Sequence, residues 1–468
     1  MLHMPLRPLV RETYDKQDSV SIPCRVPGRG DKVVVIGCGK SGQAACRLLA
    51  GKGARVHLLE AKEMDKKLKA EMESLGCVVE TGAHTKEQFA DADFVIPSPG
   101  VPLRSILQTM GMPEDAPLEG GQGPVILAET ELAYRYLAKD GQQDGPKEKI
   151  IAVTGTSGKT TTVHLIADML CAGGRTATLA GNVGTPLSEY LLELENGKKR
   201  VDCIVVEISS FQLQTCLLFR PDVAVLMNIT PNHLDYHRDM DEYVAAKLRL
   251  FACQTERDKA IVPQEWSAAY NAAGFKAREV EVRVQHLFEE TQLLGPHNEL
   301  NAEIAWEAVR DFVSFEDAAR AVANFKPLPH RLERVCEKDG VLYVNDSKST
   351  TLTSMEIALK SFERPVLLLC GGHFKGGDPR ELVPLVRERV RLVAGFGDSK
   401  EIFMPAFEGI VPMQWFPTLR PAVLWLQGQA REGDVMLLSP GTASFDLYRG
   451  MAYRGADFKA IVAEICGL

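Results

Sequence analysis

Residues 150–162, Ile-Ile-Ala-Val-Thr-Gly-Thr-Ser-Gly-Lys-Thr-Thr-Thr, constrain this chain more than any other stretch. An apolar run ends in Gly155-Thr-Ser-Gly-Lys-Thr160, and a segment with helical apolar spacing follows at Val163, Leu165, Ile166, Met169 and Leu170. That order reads as strand, glycine loop, helix. Backbone N–H groups of such a loop converge on phosphate oxygens, and the helix N-terminus adds positive potential. The loop Gly155, Thr156, Ser157, Gly158, Lys159, Thr160 therefore implies a bound nucleoside triphosphate. Lys159 would neutralise the β- and γ-phosphates, and the Thr160 hydroxyl would hold Mg²⁺. The loop is a compact variant of the full phosphate-loop pattern, with Val153 where that pattern places its first Gly.

A length of 468 residues implies two to four domains. Charged residues at 25% and hydrophobic residues at 45% describe an ordinary globular protein. The net charge of −8 argues against a nucleic-acid partner, which would call for a basic face. No apolar run reaches the roughly 18 residues that span a bilayer. Residues 1–30 carry Arg7, Arg11, Glu12, Asp15, Lys16 and Asp18 without a long apolar core. They are expected to be a poorly ordered extension and not a secretory signal. Eleven cysteines without a C-x-x-C pair lead us to expect reduced thiols in a cytoplasm.

Beyond the extension the sequence divides into three α/β blocks, 31–146, 147–328 and 329–468. The first opens with Val33-Val-Val-Ile-Gly-Cys-Gly-Lys-Ser-Gly42 and reaches a second strand ending at Glu60. The polar stretch 139–149 reads as a linker. In the second block, strand-like runs at 203–207 and 223–229 alternate with helical patterns. In the third they recur at 341–344, 366–370, 392–396 and 435–439. Such alternation predicts parallel sheets covered by helices.

Several residue groups sit where such sheets place chemistry. Gly37, Gly39 and Gly42 follow a strand and precede a helix, with Glu60 at the next strand end. This is the dinucleotide-fold fingerprint, and the fold equally accepts mononucleotides and sugar nucleotides. Glu207 ends a buried strand and is placed to hold Mg²⁺ beside the phosphate loop. Ser209, Ser210 and Gln212 follow it. His233 lies just past another strand tip. Lys247 lies in a helical segment, where the residues alone read as a solvated lysine. Asn298 and Asn301 are one helical turn apart, and Arg331, Asp346 and Lys348 lie in polar loops.

The motifs GTSGKT, GNVG (181–184), EISSFQL (207–213), NITPNHLD (228–235), YVAAKLRLF (243–251), GPHNELN (295–301), PHRLE (329–333) and NDSKST (345–350) resemble, in order, those of the Mur ligases. The resemblance spans about residues 31–465. NDSKST, followed by LLLCGGHFKG (367–376) and LLSPGTASFD (437–446), separates the resemblance from the sister ligases and implies an activity that joins D-glutamate to UDP-N-acetylmuramoyl-L-alanine. It implies a Rossmann-like UDP-binding domain, a central P-loop-like ATPase domain with a parallel sheet, and a Rossmann-like amino-acid domain. It further implies ATP contacts at 155–161, including Thr161, and at Asn301, Arg331 and Asp346. Lys40, Ser41, Glu60 and Ala61 fall at uridine-nucleotide positions, and Asn182 and Ser209 near the muramoyl substrate. Ala61 replaces a hydroxyl residue frequent in the family, and Met451 a frequent Phe. Lys348, Thr350, Lys375 and Ser444 match D-glutamate contacts. Thr160 and Glu207 would hold one Mg²⁺. His233 and a carboxylated Lys247 would hold a second, which overturns the solvated-lysine reading. Catalysis would then rest on Lys159, Glu207, His233 and Lys247, in a cytoplasmic monomer of peptidoglycan precursor synthesis with no nucleic-acid partner.

Other readings compete. A nicotinamide-dependent oxidoreductase accounts for Gly37–Gly42 and Glu60 but not for GTSGKT or Glu207. A phosphate-loop switch protein leaves the two flanking nucleotide folds unexplained. A sister Mur ligase or a folylpolyglutamate synthase is the nearest rival within the ligases, and amino-acid specificity separates them.

Overall fold

A computed structural model describes residues 25–121, 123–141, 145–233, 236–288 and 291–467. Residues 1–24 of the expected extension and 142–144 of the expected linker lie outside this set. The chain forms two compact units, one of residues up to Gln285 with Asn301–Ala321, the other of His286–Leu300 with Val322–Leu468.

The first unit holds two sheets. Strands β1 (Lys32–Ile36), β2 (Arg55–Glu60), β3 (Val78–Thr81), β4 (Phe94–Pro97) and β5 (Val125–Ile126) form an all-parallel sheet in the order β3-β2-β1-β4-β5. Val33, Val34 and Val35 of β1 are fully buried because helices cover both faces of a parallel sheet. The order reverses at β1, so the crevice beyond the C-terminal ends of β1 and β4 is the natural ligand position.

The second sheet contains β6 (Lys149–Thr154), β7 (Ala177–Gly181), β8 (Cys203–Glu207), β9 (Val223–Leu226), β10 (Lys259–Ile261) and β11 (Arg278–Val280). Its order is β11-β10-β9-β6-β8-β7, again all parallel. The phosphate-loop strand β6 therefore lies between the strand that ends in Glu207 and the strand that leads to His233.

The second unit carries β12 (Glu333–Lys338), β13 (Val341–Asn345), β14 (Val366–Cys370), β15 (Val390–Phe396), β16 (Met413–Phe416) and β17 (Val435–Leu438). The order is β12-β13-β17-β14-β15-β16, parallel except for β12, which pairs antiparallel with β13. The strands expected at 203–207 and 366–370 appear with those bounds. That expected at 223–229 ends at Leu226, because Met227–Thr230 turn over the phosphate loop. Sulfur meets sulfur between Cys336 on β12 and Cys466 at the end of the last helix, with Cα atoms 7.4 Å apart. Eight described cysteines are free, and this pair, separated by 130 residues of sequence, departs from the expectation of thiols.

The glycine loop after β1 is fixed by backbone contact. A Cβ on Gly42 would lie 2.0 Å from the Gly37 carbonyl oxygen. At Gly39 it would meet nothing within 4 Å. Gly42→Ala is accordingly expected to cost about 3 kcal/mol or more, since a backbone atom must move. Gly39→Ala, at a helix N-cap, should cost less than about 1 kcal/mol. Thermal melts of the two variants check this, and equal midpoints would contradict it.

Candidate functional site

The helix Lys159–Ala172 starts from Gly158, whose φ of +84° and whose approach to Asn301 both demand glycine. A Cβ there would sit 2.7 Å from Asn301 Oδ1. Asn301, placed by sequence 143 residues away, thus packs on the phosphate loop. The loop is held from outside by β9's continuation: Thr156 N donates to the Asn228 carbonyl and Ser157 N to Asn228 Oδ1, both at 2.9 Å. Thr156 Oγ1 also lies 3.0 Å from the Tyr243 hydroxyl. Thr160 and Thr161 are buried at the start of the helix. Lys159 Nζ donates to the carbonyls of Gly155 (2.7 Å) and Thr156 (3.0 Å).

Lys247 donates to the same Gly155 oxygen, at 2.9 Å. It projects from the helix Met240–Leu248, is 2% exposed, and lies 4.6 Å from the Tyr243 ring centroid. Burial, helped by the Lys159 charge, pulls its amine well below the ordinary lysine range. The solvated-helix reading is therefore corrected: the lysine faces inward, against the loop.

Glu207 stands opposite Val153 in the β6–β8 register and is 2% exposed. Its Oε1 accepts from Asn182 Nδ2 at 2.7 Å, and Asn182 N donates to the Glu207 carbonyl at 2.8 Å. Its Oε2 is buried with no hydrogen-bond partner among the described residues. A buried carboxylate oxygen left unsatisfied is costly, and a divalent cation would satisfy it. His233 takes a left-handed backbone, φ +56°, with its ring 4.9 Å from that of Phe211. Ser209 caps the short helix Ser210–Leu213 through a reciprocal bond with Gln212. No group of three His, Cys, Asp or Glu residues able to hold a metal occurs among the described residues. Any cation here would rely on Thr160 and on a modified Lys247 as well as on Glu207 and His233. Glu207 Oε2 and the uncharged tendency of Lys247 both fit that donor set.

At the first sheet, Glu60 accepts from Cys38 N at 2.8 Å and from Lys62 N at 3.2 Å. Both its oxygens face backbone N–H groups, so the carboxylate orders the glycine loop. Lys40 and Ser41 open the helix Lys40–Gly51, and Ala61 is exposed beside Glu60. Ser98, at the end of β4, was not anticipated. Its hydroxyl donates to the Gly37 carbonyl at 3.1 Å. The sequence signal was available in a Ser flanked by prolines at a strand tip. A narrow cavity joins Ser98 to Val101, Glu129, Phe211, Gln212 and Tyr236.

In the second unit, three adjacent strands deliver the third group. Asp346, Lys348 and Thr350 follow β13, Ser444 follows β17, and Lys375 follows β14. Lys375 Nζ lies 3.5 Å from Thr350 Oγ1, and His373 and Ala443 exchange backbone bonds of 2.9 Å. Asp346 is buried, accepts from Leu332 N and Ser439 Oγ, and is pushed up to about 7 by desolvation, with Arg331 opposing. Met451 opens the last helix.

Residues 153–285 match the family model of the Mur ligase middle domain, and residues 31–112 match that of the Mur ligase MurD-like N-terminal domain. A UDP-N-acetylmuramoylalanine–D-glutamate ligase from Nitratidesulfovibrio vulgaris is 51% identical over 439 residues, covering 93% of this chain and 97% of the relative. One from Desulfovibrio desulfuricans is 50% identical over 441 residues, with coverage of 93% and 97%. Among solved structures, MurF from Acinetobacter baumannii is similar with a TM-score of 0.56 at 18% identity, covering 93% of each chain, which is a likeness of fold.

Proposed function

The chain belongs to the Mur ligase family, and from that premise we propose how its residues carry out the ligation. It is an ATP-dependent, amide-forming ligase that adds D-glutamate to UDP-N-acetylmuramoylalanine in peptidoglycan precursor synthesis. Its fold is the family's three-domain α/β architecture. We assign the domains to residues 31–146, 147–328 and 329–468. No helix among the described residues is long and apolar enough to cross a membrane. A cytoplasmic monomer is our reading of its working state.

A carboxylate does not react with an amine at neutral pH, so activation comes first. The alanine carboxylate attacks the γ-phosphorus of ATP, ADP leaves, and an acyl phosphate forms. The D-glutamate amine then adds to the acyl carbon, and phosphate departs from the tetrahedral intermediate as the amine loses its proton. In our reading the loop 155–161 and Asn301 cradle the phosphates, with Arg331 and Asp346 as further ATP contacts. Lys159 offsets charge on the transferring phosphoryl group. Lys40, Ser41, Glu60 and Ala61 face the uridine nucleotide, and Asn182 and Ser209 the muramoyl end. Mg²⁺, when bound, supplies charge neutralisation at the phosphates. Thr160 and Glu207 would hold one ion, and His233 and Lys247 another.

The observation that carries this reading is the convergence of Lys159, Lys247 and Asn301 on one glycine loop, beside a Glu207 with an unsatisfied buried oxygen. Burial disfavours the charged form of Lys247, and its neutral amine can add CO₂ and release a proton, giving a carbamate oxygen ligand. Lys247→Ala is expected to lose activity by about 10³-fold or more, as for removal of a key electrostatic group. Acetate should restore part of it by supplying the missing oxygens. An active alanine variant, or one that acetate does not help, would contradict the carbamate.

The second unit supports the amino-acid assignment. Two lysines, Lys348 and Lys375, suit the two carboxylates of D-glutamate, with Thr350 and Ser444 as hydroxyl partners. A monocarboxylate or a diamino acid would leave a lysine unmatched or repelled. Phosphate release with UDP-N-acetylmuramoyl-L-alanine, assayed over a panel of amino acids, is expected to require D-glutamate. Lys348→Ala and Lys375→Ala should each raise its KM sharply and that of ATP far less. A preference for L-lysine, meso-diaminopimelate or L-glutamate would contradict the assignment.

A further inference from the structure

Arg454, in the first turn of the helix Met451–Cys466, is fully buried. Its hydrogen-bond partners are neutral oxygens. Nε donates to Ser347 Oγ at 3.0 Å, and Nη2 to the Ser347 and Thr442 carbonyls at 2.9 and 3.0 Å. Nη1 donates to the Ala443 carbonyl at 3.2 Å. Burying a charge without a carboxylate in contact is costly, and burial pulls this guanidinium down to about 10. A structural core would be better served by an apolar residue of the same length. The position of the partners gives Arg a task here that an apolar residue could not perform.

Ser347 precedes Lys348 on the loop after β13. Thr442 and Ala443 precede Ser444 on the loop after β17. The loop after β14, which carries Lys375, joins the same cluster. Thr442 Oγ1 donates to the Gly371 carbonyl at 2.7 Å, and His373 pairs with Ala443. A Cβ on Gly372 would lie 3.1 Å from Arg454 Nη1. One guanidinium therefore sits beneath all three loops that carry the amino-acid contacts. The rest of the helix start reinforces it: Ser347 Oγ donates to the Met451 carbonyl at 2.7 Å, and Asn345 Nδ2 to the Gly455 carbonyl at 3.3 Å.

We propose that Arg454 is a positioning residue for amino-acid binding, setting the spacing of the Lys348, Ser444 and Lys375 loops. The inference rests on the D-glutamate ligase reading and deepens it. The planar guanidinium fork matches four acceptors in two loops, which an ammonium cannot do.

The test is steady-state kinetics of R454K and R454M with each substrate varied in turn, beside thermal melts. The KM for D-glutamate is expected to rise about 10-fold in R454K and about 100-fold in R454M, on the scale of hydrogen bonds to a charged group. The KM for the UDP substrate should stay within about 3-fold, because the first sheet lies in the other unit. If R454M does not fold, R454K alone decides. A lowered melting midpoint with an unchanged D-glutamate KM, or a parallel rise in all three KM values, would overturn the proposal. Wild-type turnover of D-glutamate is measured in the same assay. Its absence would count against the ligase reading and not against Arg454.

Discussion

One carbonyl oxygen organises the centre of this molecule. Gly155 O accepts from both Lys159 and Lys247. Two full charges about 4 Å apart repel by about 4 kcal/mol at an effective dielectric of about 20. Burial falls far more heavily on Lys247, at 2% exposure, than on Lys159, which is half-buried at the loop surface. The pair therefore separates into a lysine at the loop surface and a second whose charged form burial disfavours. The glycine loop, the Asn228 clamp and the Tyr243 hydroxyl hold Gly155 where both lysines reach it.

The sheets repeat one device three times. In each, a central parallel strand ends in a glycine-containing or polar loop, and its two neighbours bring further groups to the same edge. β1 is flanked by the strands ending near Glu60 and Ser98. β6 is flanked by those ending at Glu207 and leading to His233. β17 is flanked by those leading to Lys348 and Lys375. Residues far apart in sequence become neighbours because parallel strands all finish at one edge.

This regularity made much of the molecule readable in advance. Apolar runs such as Cys203–Glu207 and Val366–Cys370 are long, β-branched or leucine-rich, and bounded by loops, so their strands were visible. Candidate site residues at strand tips were named for the same reason. What stayed hidden depends on contacts without a local pattern. Short edge strands such as Arg278–Val280 and the antiparallel Glu333–Lys338 carry weak alternation. Lys247 looks like a solvated helix lysine until its helix is seen packed on the phosphate loop. Glu60 was named for a ribose hydroxyl, and its carboxylate also braces the backbone of Cys38 and Lys62, a contact that no local pattern announces. Arg454 has no motif of its own, and its role lies in carbonyls contributed by segments 11 and 107 residues away.

The central claim is that the phosphate loop serves to turn a carboxylate into an acyl phosphate. Isotope transfer tests it most directly. UDP-N-acetylmuramoyl-L-alanine labelled with ¹⁸O in the alanine carboxylate is turned over with ATP and D-glutamate, and the released phosphate is analysed by mass. The account predicts one ¹⁸O atom in each phosphate, because the attacking carboxylate oxygen leaves with the phosphoryl group. Phosphate free of label, with amide product formed, would contradict it.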